Sequence, residues 1–598
     1  MLRLVEHSLP SLPQRRFPTE WDPVAGWPAW LARLSGRLTG IHRLRKVYDE
    51  VGPAGTPAEF ARRCLELLDI RCELDDRQRA RIPAAGRTLF VANHPFGALD
   101  ALIAIATLGA VRSDLRVLAN TELAAIPELA PIIVGTGDPR GNSLALRQAL
   151  RWLNGEHAVL TFPAGDVAQF DVRARCITDP PWSPAAGRLV QMTDAQVVPV
   201  HFSGANGKLF QVAGLLAPRL RTWLLPREIH RQRGTRVVTQ VGTPISAARL
   251  ARFHDNEAVA VHLRLKTFLA PTTAAPPNAA AARDLEPIPP EMPRDALAAE
   301  VASLAADQRL LSLSGHDVLC ARPAQIPHLL SEIGRLREIG LRAAGAGTGR
   351  GRALDRFDKH YEHLLVWDHA RQQLAGACRV GRTDQVRVTH GQQGLQTAEA
   401  YRFRKPLLGL LGPTLELGLF CERSDSRHDP APLALLWKGI GELVGREPRY
   451  CRLLGTATVG GQYTQTSRQL LVGYLSRHRV GALLSSLVRA RHPYAPARSA
   501  ALGTELALLS NLEPLGALVE DIEPDGKSVP ALLARYLNLS GRVLAVDSDP
   551  ARGPSVDCLM LVDLRHSKPR MLQRFLGDAA LARFRATHRA LKSSNRLP

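Results

Sequence analysis

Residues 93–100 read Asn-His-Pro-Phe-Gly-Ala-Leu-Asp, between an apolar run suited to a strand (Thr88 to Ala92) and one suited to a helix (Ala101 to Leu108). A histidine leaving a strand accepts a proton at neutral pH. A carboxylate in the first helical turn stays ionised beside the positive end of the helix dipole and can hold the imidazole tautomer. His94 and Asp100 are therefore a candidate pair for making a hydroxyl attack an acyl group. A second carboxylate, Glu416, lies in the strand-like run Thr414-Leu415-Glu416-Leu417-Gly418-Leu419-Phe420. There it can take or relay a proton from an amine, and Gly418 permits a bulge or a close backbone approach. Each also has a plain structural reading: a satisfied histidine in a core, and a glutamate on an exposed strand.

The surrounding pattern supplies elements to hold these groups. TLFVAN, LRVLAN, AVLTFP and VVPVHFSG alternate with the helical stretches ALIAIATLGA and LALRQALRWLNG, which predicts a three-layer α/β domain over 1–270. Residues 271–293 carry seven prolines and many alanines with no amphipathic period, so 271–295 reads as an interdomain linker. Beyond it, IPHLLSEIGRLREIGLR and APLALLWKGIGELVG read as helices, and EHLLVWD, QLAGACRVG, RVLAVDSD and CLMLVDL as strands of a second α/β domain over 296–598. Residues 27–46 form a further stripe, with Trp27, Trp30, Leu31, Leu34, Leu38 and Ile41 on one helical face beside Arg33, Arg37, Arg43, Arg45 and Lys46. It is either a helix packed on the core or a basic helix lying in a membrane interface.

Composition narrows the classes. With 45% hydrophobic and 22% charged residues the chain can bury real cores. A net charge of +21 attracts acidic partners: an acidic carrier protein, anionic lipid or nucleic acid. Only 5% aromatics and no zinc-finger spacing argue against nucleic acid. The eight cysteines form no Cys-x-x-Cys pair, so neither a metal site nor a disulfide framework is expected. No sustained apolar segment suggests a signal peptide or a membrane span, and the expected location is cytoplasmic, peripheral on the inner face of the membrane.

Asn93-His94, Phe162-Pro163-Ala164-Gly165-Asp166 and the Val-Pro at Val198-Pro199 together resemble the blocks of the glycerolipid (lysophospholipid) acyltransferase family over about residues 80 to 245. The resemblance implies that His94 is the general base and Asp100 its partner. It further implies that Asn93, Phe162, Pro163, Gly165, Asp166 and Pro199 shape the acceptor site, with Arg140 near the family's substrate-binding arginine. Two departures are plain. Five residues rather than four separate His94 from Asp100, and Ala164 stands where the family has glutamate.

The run from 337 to 368, then LAGACRVG, LELG and the distal GKSVPALLARYLNLSGRVLAVDSDP, resembles the hemolysin-like ornithine N-acyltransferase family, a GNAT-like fold, over about 296 to 580. It implies Glu416 as base or amine-positioning residue, Arg379 and Gly418 as substrate-binding, and an acyl carrier protein thioester as donor with no other cofactor. Leu419 departs from the family's common L-E-L-G-R. Asp355 and Asp358 are candidates for a cationic amino acid side chain, or simply a solvated loop. The two resemblances together imply N-acylation of ornithine by the second domain and O-acylation of the resulting lyso-lipid by the first. The alternatives are a lysophospholipid acyltransferase with a degenerate second domain, and a non-enzymatic basic membrane-binding protein.

Overall fold

The computed structural model describes residues 41–594 except 138, 173–175, 217, 254, 270–284, 424–430, 496–508 and 510–511. The side chains at 41, 139–140, 216–223 and 589–594 are also outside that description. The chain divides into two compact units between Ala274 and Ala275, with Leu509 grouped with the first. Most of the tryptophan stripe, residues 27–40, lies outside the described residues. Its end begins the helix Ile41–Val51.

In the first unit the apolar runs become strands: β1 (Arg71–Glu73), β2 (Thr88–Ala92), β3 (Arg116–Asn120), β4 (Ile133–Thr136), β5 (Ala158–Thr161), a small hairpin of β6 (Gln169–Asp171) and β7 (Cys176–Thr178), β8 (Gln196–Phe202) and β9 (Arg236–Val241). Seven of them form one sheet in the order β1-β9-β8-β2-β5-β3-β4, parallel throughout except for β8 against β9. All five residues of β2 are buried, as a parallel strand covered on both faces requires. Helices α1 (Pro57–Leu67) and α2 (Ala98–Leu108) cover one face and share a core with Phe90, Ala92, Val198 and Val200. Helix α3 (Ala185–Thr193) packs on α6 (Asn256–Leu269), which in turn packs on β2 and β8. Between β8 and β9 the chain makes α4 (Lys208–Leu216) and α5 (Pro218–Arg231).

The second unit has β10 (Arg309–Leu313), β11 (His316–Ala321), β12 (Glu362–Asp368), β13 (Gln373–Arg382), β14 (Tyr401–Phe403), β15 (Thr414–Glu422), β16 (Arg452–Val459), β17 (Val488–Ala490), β18 (Arg542–Asp547) and β19 (Val556–Asp563). Eight form a sheet in the order β10-β11-β12-β13-β15-β16-β19-β18, while β14 and β17 pair separately. Only β15 and β16 run parallel, joined by helix α8 (Pro432–Arg446); helix α7 (Pro327–Ala343) packs on β13 and β15. The parallel pairing ends at Leu417↔Gly455. Beyond it β15 stays with β13 and β16 with β19, so the two strands part. Just there β15 bulges, with Leu419 at φ +44°, a conformation few non-glycine residues adopt.

The end of the proline-rich segment departs from the expected linker. Glu286 N–H donates to Gly349 O (2.8 Å), Arg342 Nη2 donates to Glu286 O (2.7 Å), and Met292 N–H donates to the buried Glu332 (3.3 Å). Glu291 pairs with Arg423 at 2.8 Å. Absence of periodicity signals no helix or strand, but an extended proline-rich chain still satisfies its backbone against a neighbouring surface.

Candidate active sites

His94 leaves β2 and Asp100 is the third residue of α2. The turn between them is wider by one residue than the four-residue spacing of the family pattern, and Gly97 at φ +88° absorbs the excess. Asp100 is fully buried, and its Oδ2 accepts the amides of Phe96 and Gly97, each at 2.9 Å. The same oxygen lies 3.0 Å from His94 Nδ1, close in distance though not aligned as a straight hydrogen bond. Such contacts commonly straighten only when substrate is bound. Burial pushes the Asp100 pKa up, opposed by His94 and then by the two amides. With Nδ1 turned to Asp100, Nε2 is the imidazole atom left for an incoming hydroxyl.

Other groups hold the histidine from behind. Asn93 forms a two-way amide clamp with Phe202, donating to its carbonyl (3.0 Å) and accepting its N–H (2.7 Å), which ties the end of β2 to the end of β8. The Phe162 ring lies 4.4 Å from the imidazole, and Ala168 N–H donates to His94 O (2.8 Å). Asp179, which sequence reasoning missed, accepts His94 N–H at 3.2 Å and Trp182 Nε1–H at 3.0 Å. Burial raises the Asp179 pKa to about 6. Arg264 fixes that loop by donating to the carbonyls of Asp179 and Pro180 and to the Thr178 hydroxyl.

The remaining expected residues divide. Pro163 is buried and accepts Ser183 N–H, and Gly165 turns at φ +68°, whereas Asp166 is exposed and caps Val167 N–H. Pro199 lies inside β8 opposite Val91, one residue before antiparallel pairing with β9 begins, so its missing N–H costs no ladder bond there. It shapes the sheet. The side chain of Arg140 is outside the described residues.

In the second unit Glu416 is fully buried. Its Oε1 accepts Thr397 N–H (2.7 Å) and the Thr397 hydroxyl (2.6 Å), and Oε2 accepts the Tyr361 hydroxyl. Burial raises its pKa, with Thr397 and Tyr361 working against that rise. A raised pKa strengthens this carboxylate as a proton acceptor, but an amine reaches it only if one of those bonds is exchanged or the proton is relayed through a hydroxyl. Arg379, expected to bind substrate, is wholly buried and bonded to both oxygens of Asp355, with Asp358 3.4 Å away. Asp358 in turn holds Arg337 at 2.7 Å and is itself buried. Asp358 therefore belongs to an internal charge network, while Asp355 ties that network to the surface, paired with Arg379 but still exposed. Burial opposes ionisation of Asp355, and the Arg379 contact outweighs it and lowers the pKa. Gly418 makes room for the Gln396 amide, which a Cβ there would strike.

Residues 30–272 match the acyltransferase family, and residues 336–438 match the acetyltransferase (GNAT) domain family. The chain joins an acyltransferase domain to a GNAT domain. A glycine N(alpha)-acyltransferase from Phocaeicola vulgatus is 28% identical over 259 residues, 40% of this chain and 77% of that protein. The Bacteroides thetaiotaomicron glycine N(alpha)-acyltransferase is 30% identical over 190 residues, 30% of this chain and 56% of its own. A lyso-glycine lipid O-acyltransferase of Phocaeicola vulgatus is 27% identical over 154 residues, 25% of this chain and 54% of its own. The chain thus spans little more than half of these last two. The crystal structure of the 1-acyl-sn-glycerophosphate acyltransferase PlsC from Thermotoga maritima aligns with 14% identity over 41% of this chain and 95% of that one, at a TM-score of 0.25. Among the described residues no His, Cys, Asp and Glu cluster could hold a metal ion, and no helix is long and apolar enough to cross a membrane.

Proposed function

We propose that this acyltransferase builds a diacylated amino-acid lipid. The GNAT domain transfers a 3-hydroxyacyl group from acyl carrier protein to the amine of ornithine, forming the amide and releasing the carrier thiol. The first domain then esterifies the new 3-hydroxyl from a second acyl thioester. His94 takes the hydroxyl proton, Asp100 steadies the imidazolium, and the proton leaves with the departing thiolate. The observation that carries this reading is that one chain holds two separate sites suited to different acceptors: the solvent-reachable His94–Asp100 pair, and the buried Glu416–Thr397–Tyr361 cluster beside the parting of β15 and β16. The basic surface suits an acidic carrier protein and the inner membrane face.

A second reading, with glycine as acceptor, is favoured by the names of the Phocaeicola and Bacteroides relatives. It is also favoured by the engagement of Asp355 with Arg379 and Asp358 with Arg337, which leaves neither carboxylate waiting for a cationic side chain. Mass spectrometry of lipids formed from equimolar ornithine and glycine with acyl carrier protein thioesters separates the two by product mass. His94→Ala should lose ester formation by ~100 to 10,000-fold and accumulate the monoacyl amide. Formation of neither amide would overturn both readings.

A further inference from the structure

We propose that the outward face of α4 is a docking surface for an anionic lipid bilayer and sets the first-domain site against the membrane. The helix reads Lys-Leu-Phe-Gln-Val-Ala-Gly-Leu-Leu and is apolar on two faces. Phe210 and Ala213 point inward and are buried. Leu209, Val212 and Leu215 recur every three residues on the opposite side, 52%, 53% and 57% exposed. Three large aliphatic side chains held in water on one turn-by-turn ridge, with Val172 at 65% exposure in the turn after β6, mark a binding surface rather than scattered surface residues.

The ridge is mechanically joined to the catalytic turn. Inward-facing Gln211 accepts Phe170 N–H (2.9 Å) and donates to Ala168 O (3.4 Å), and Ala168 N–H donates to His94 O (2.8 Å). Leu225 of the following helix, α5, lies where a Cβ on Gly97 would be 3.1 Å from it. Charge selects the occupant. Residues 201–250 hold eight Lys and Arg against a single acidic residue, Glu228, and Glu228 is buried and paired with Arg231. An apolar ridge that starts at the exposed Lys208 and is followed on the next helix by the exposed Arg227 matches the boundary between acyl chains and anionic headgroups. A protein partner would need acidic groups around an apolar groove; a bilayer supplies both from one surface.

The proposal rests on the reading that the first domain's acceptor is a lipid, but the test does not use turnover. Full-length protein is sedimented with sucrose-loaded vesicles of mixed phosphatidylcholine and phosphatidylglycerol. Combined Leu209→Ser, Val212→Ser and Leu215→Ser should lower the vesicle partition by about tenfold or more. Leu483→Ser, at an exposed position in the other unit, should leave it unchanged. Vesicles of phosphatidylcholine alone, or high salt, should weaken wild-type binding. Hydrogen exchange of the wild type supplies a second measurement independent of the variant's folding: amides of 208–216 should gain protection on vesicles. Equal partition of the folded triple variant, no protection of that helix, or a change in oligomeric state without any change in vesicle binding would overturn the proposal. Vesicle binding through α4 by a protein that acylates no lipid would instead overturn the functional reading alone.

Discussion

Two carboxylates hold His94 in different ways: Asp100 faces its ring, while Asp179 takes its main-chain N–H. The second can be isolated through its pH dependence. Because the folded state raises the Asp179 pKa to about 6, from an ordinary value near 3.8, folded protein binds the extra proton between those values. Its stabilising contribution is therefore complete below the lower value and lost as pH rises through the upper one. Asp179→Asn removes this titration. From pH 4 to pH 7 its unfolding free energy should improve relative to wild type by about 2 kcal/mol, read from urea transitions. Esterification should nevertheless fall, because the amide cannot accept from both His94 and Trp182. No sequence pattern marks Asp179, 85 residues from His94, whereas His94 and Asp100 stand out because their strand-turn-helix context is local. Arg379 was legible as a strand arginine, but its burial and its pairing with Asp355 depend on a loop folding back over β13.

At the scale of elements, two glycines decide whether the strands can carry chemistry. Gly97 lets the turn from β2 to α2 accommodate its additional residue, and alanine there meets both a strained conformation and the side chains of Leu225 and Val167. Gly97→Ala should cost roughly 1–3 kcal/mol in thermal unfolding and remove ester formation while amide formation continues. Gly455 marks the last parallel pair before β15 and β16 part. A Cβ there would strike the Tyr536 hydroxyl, on helix α9 (Ala531–Asn538), and come within 2.6 Å of Leu417 O. Since that carbonyl is backbone and cannot swing aside, Gly455→Ala should suppress amide formation; esterification of a supplied monoacyl lipid should persist. Normal amide synthesis by the folded variant would show that amide formation does not depend on the close packing where these strands part. The strands themselves were readable because continuous apolar runs such as Thr88–Ala92 mark fully covered strands. Their order was not, since it depends on pairings between residues more than a hundred positions apart, such as β16 with β19.

For the whole molecule, the division near residue 274 predicts that the two activities can be separated, with the place of the cut deciding the outcome. A second fragment beginning at 296, where the apparent linker ends, would lack Glu291 and Met292. Arg423 would then lose its contact with Glu291, and the buried Glu332 would lose the Met292 amide while keeping Arg335 and Arg423. It would also lose the packing of Met292 against the core of Leu297, Leu329 and Ile333. Losing a charged hydrogen bond and the neighbouring amide contact should destabilise this fragment by roughly 2–4 kcal/mol relative to one beginning at 275. Residues 275–598 should fold and N-acylate the amino acid, residues 1–274 should esterify supplied monoacyl lipid, and the mixture should make diacyl lipid more slowly than the intact chain, because the intermediate must find a second protein. Urea midpoints of the two C-terminal fragments measure the first claim and lipid mass spectrometry the second. Equal midpoints would reduce residues 285–293 to a tether. A folded 275–598 fragment without amide synthesis, together with unchanged activity of Glu416→Ala in the full chain, would remove the GNAT domain from amide formation altogether.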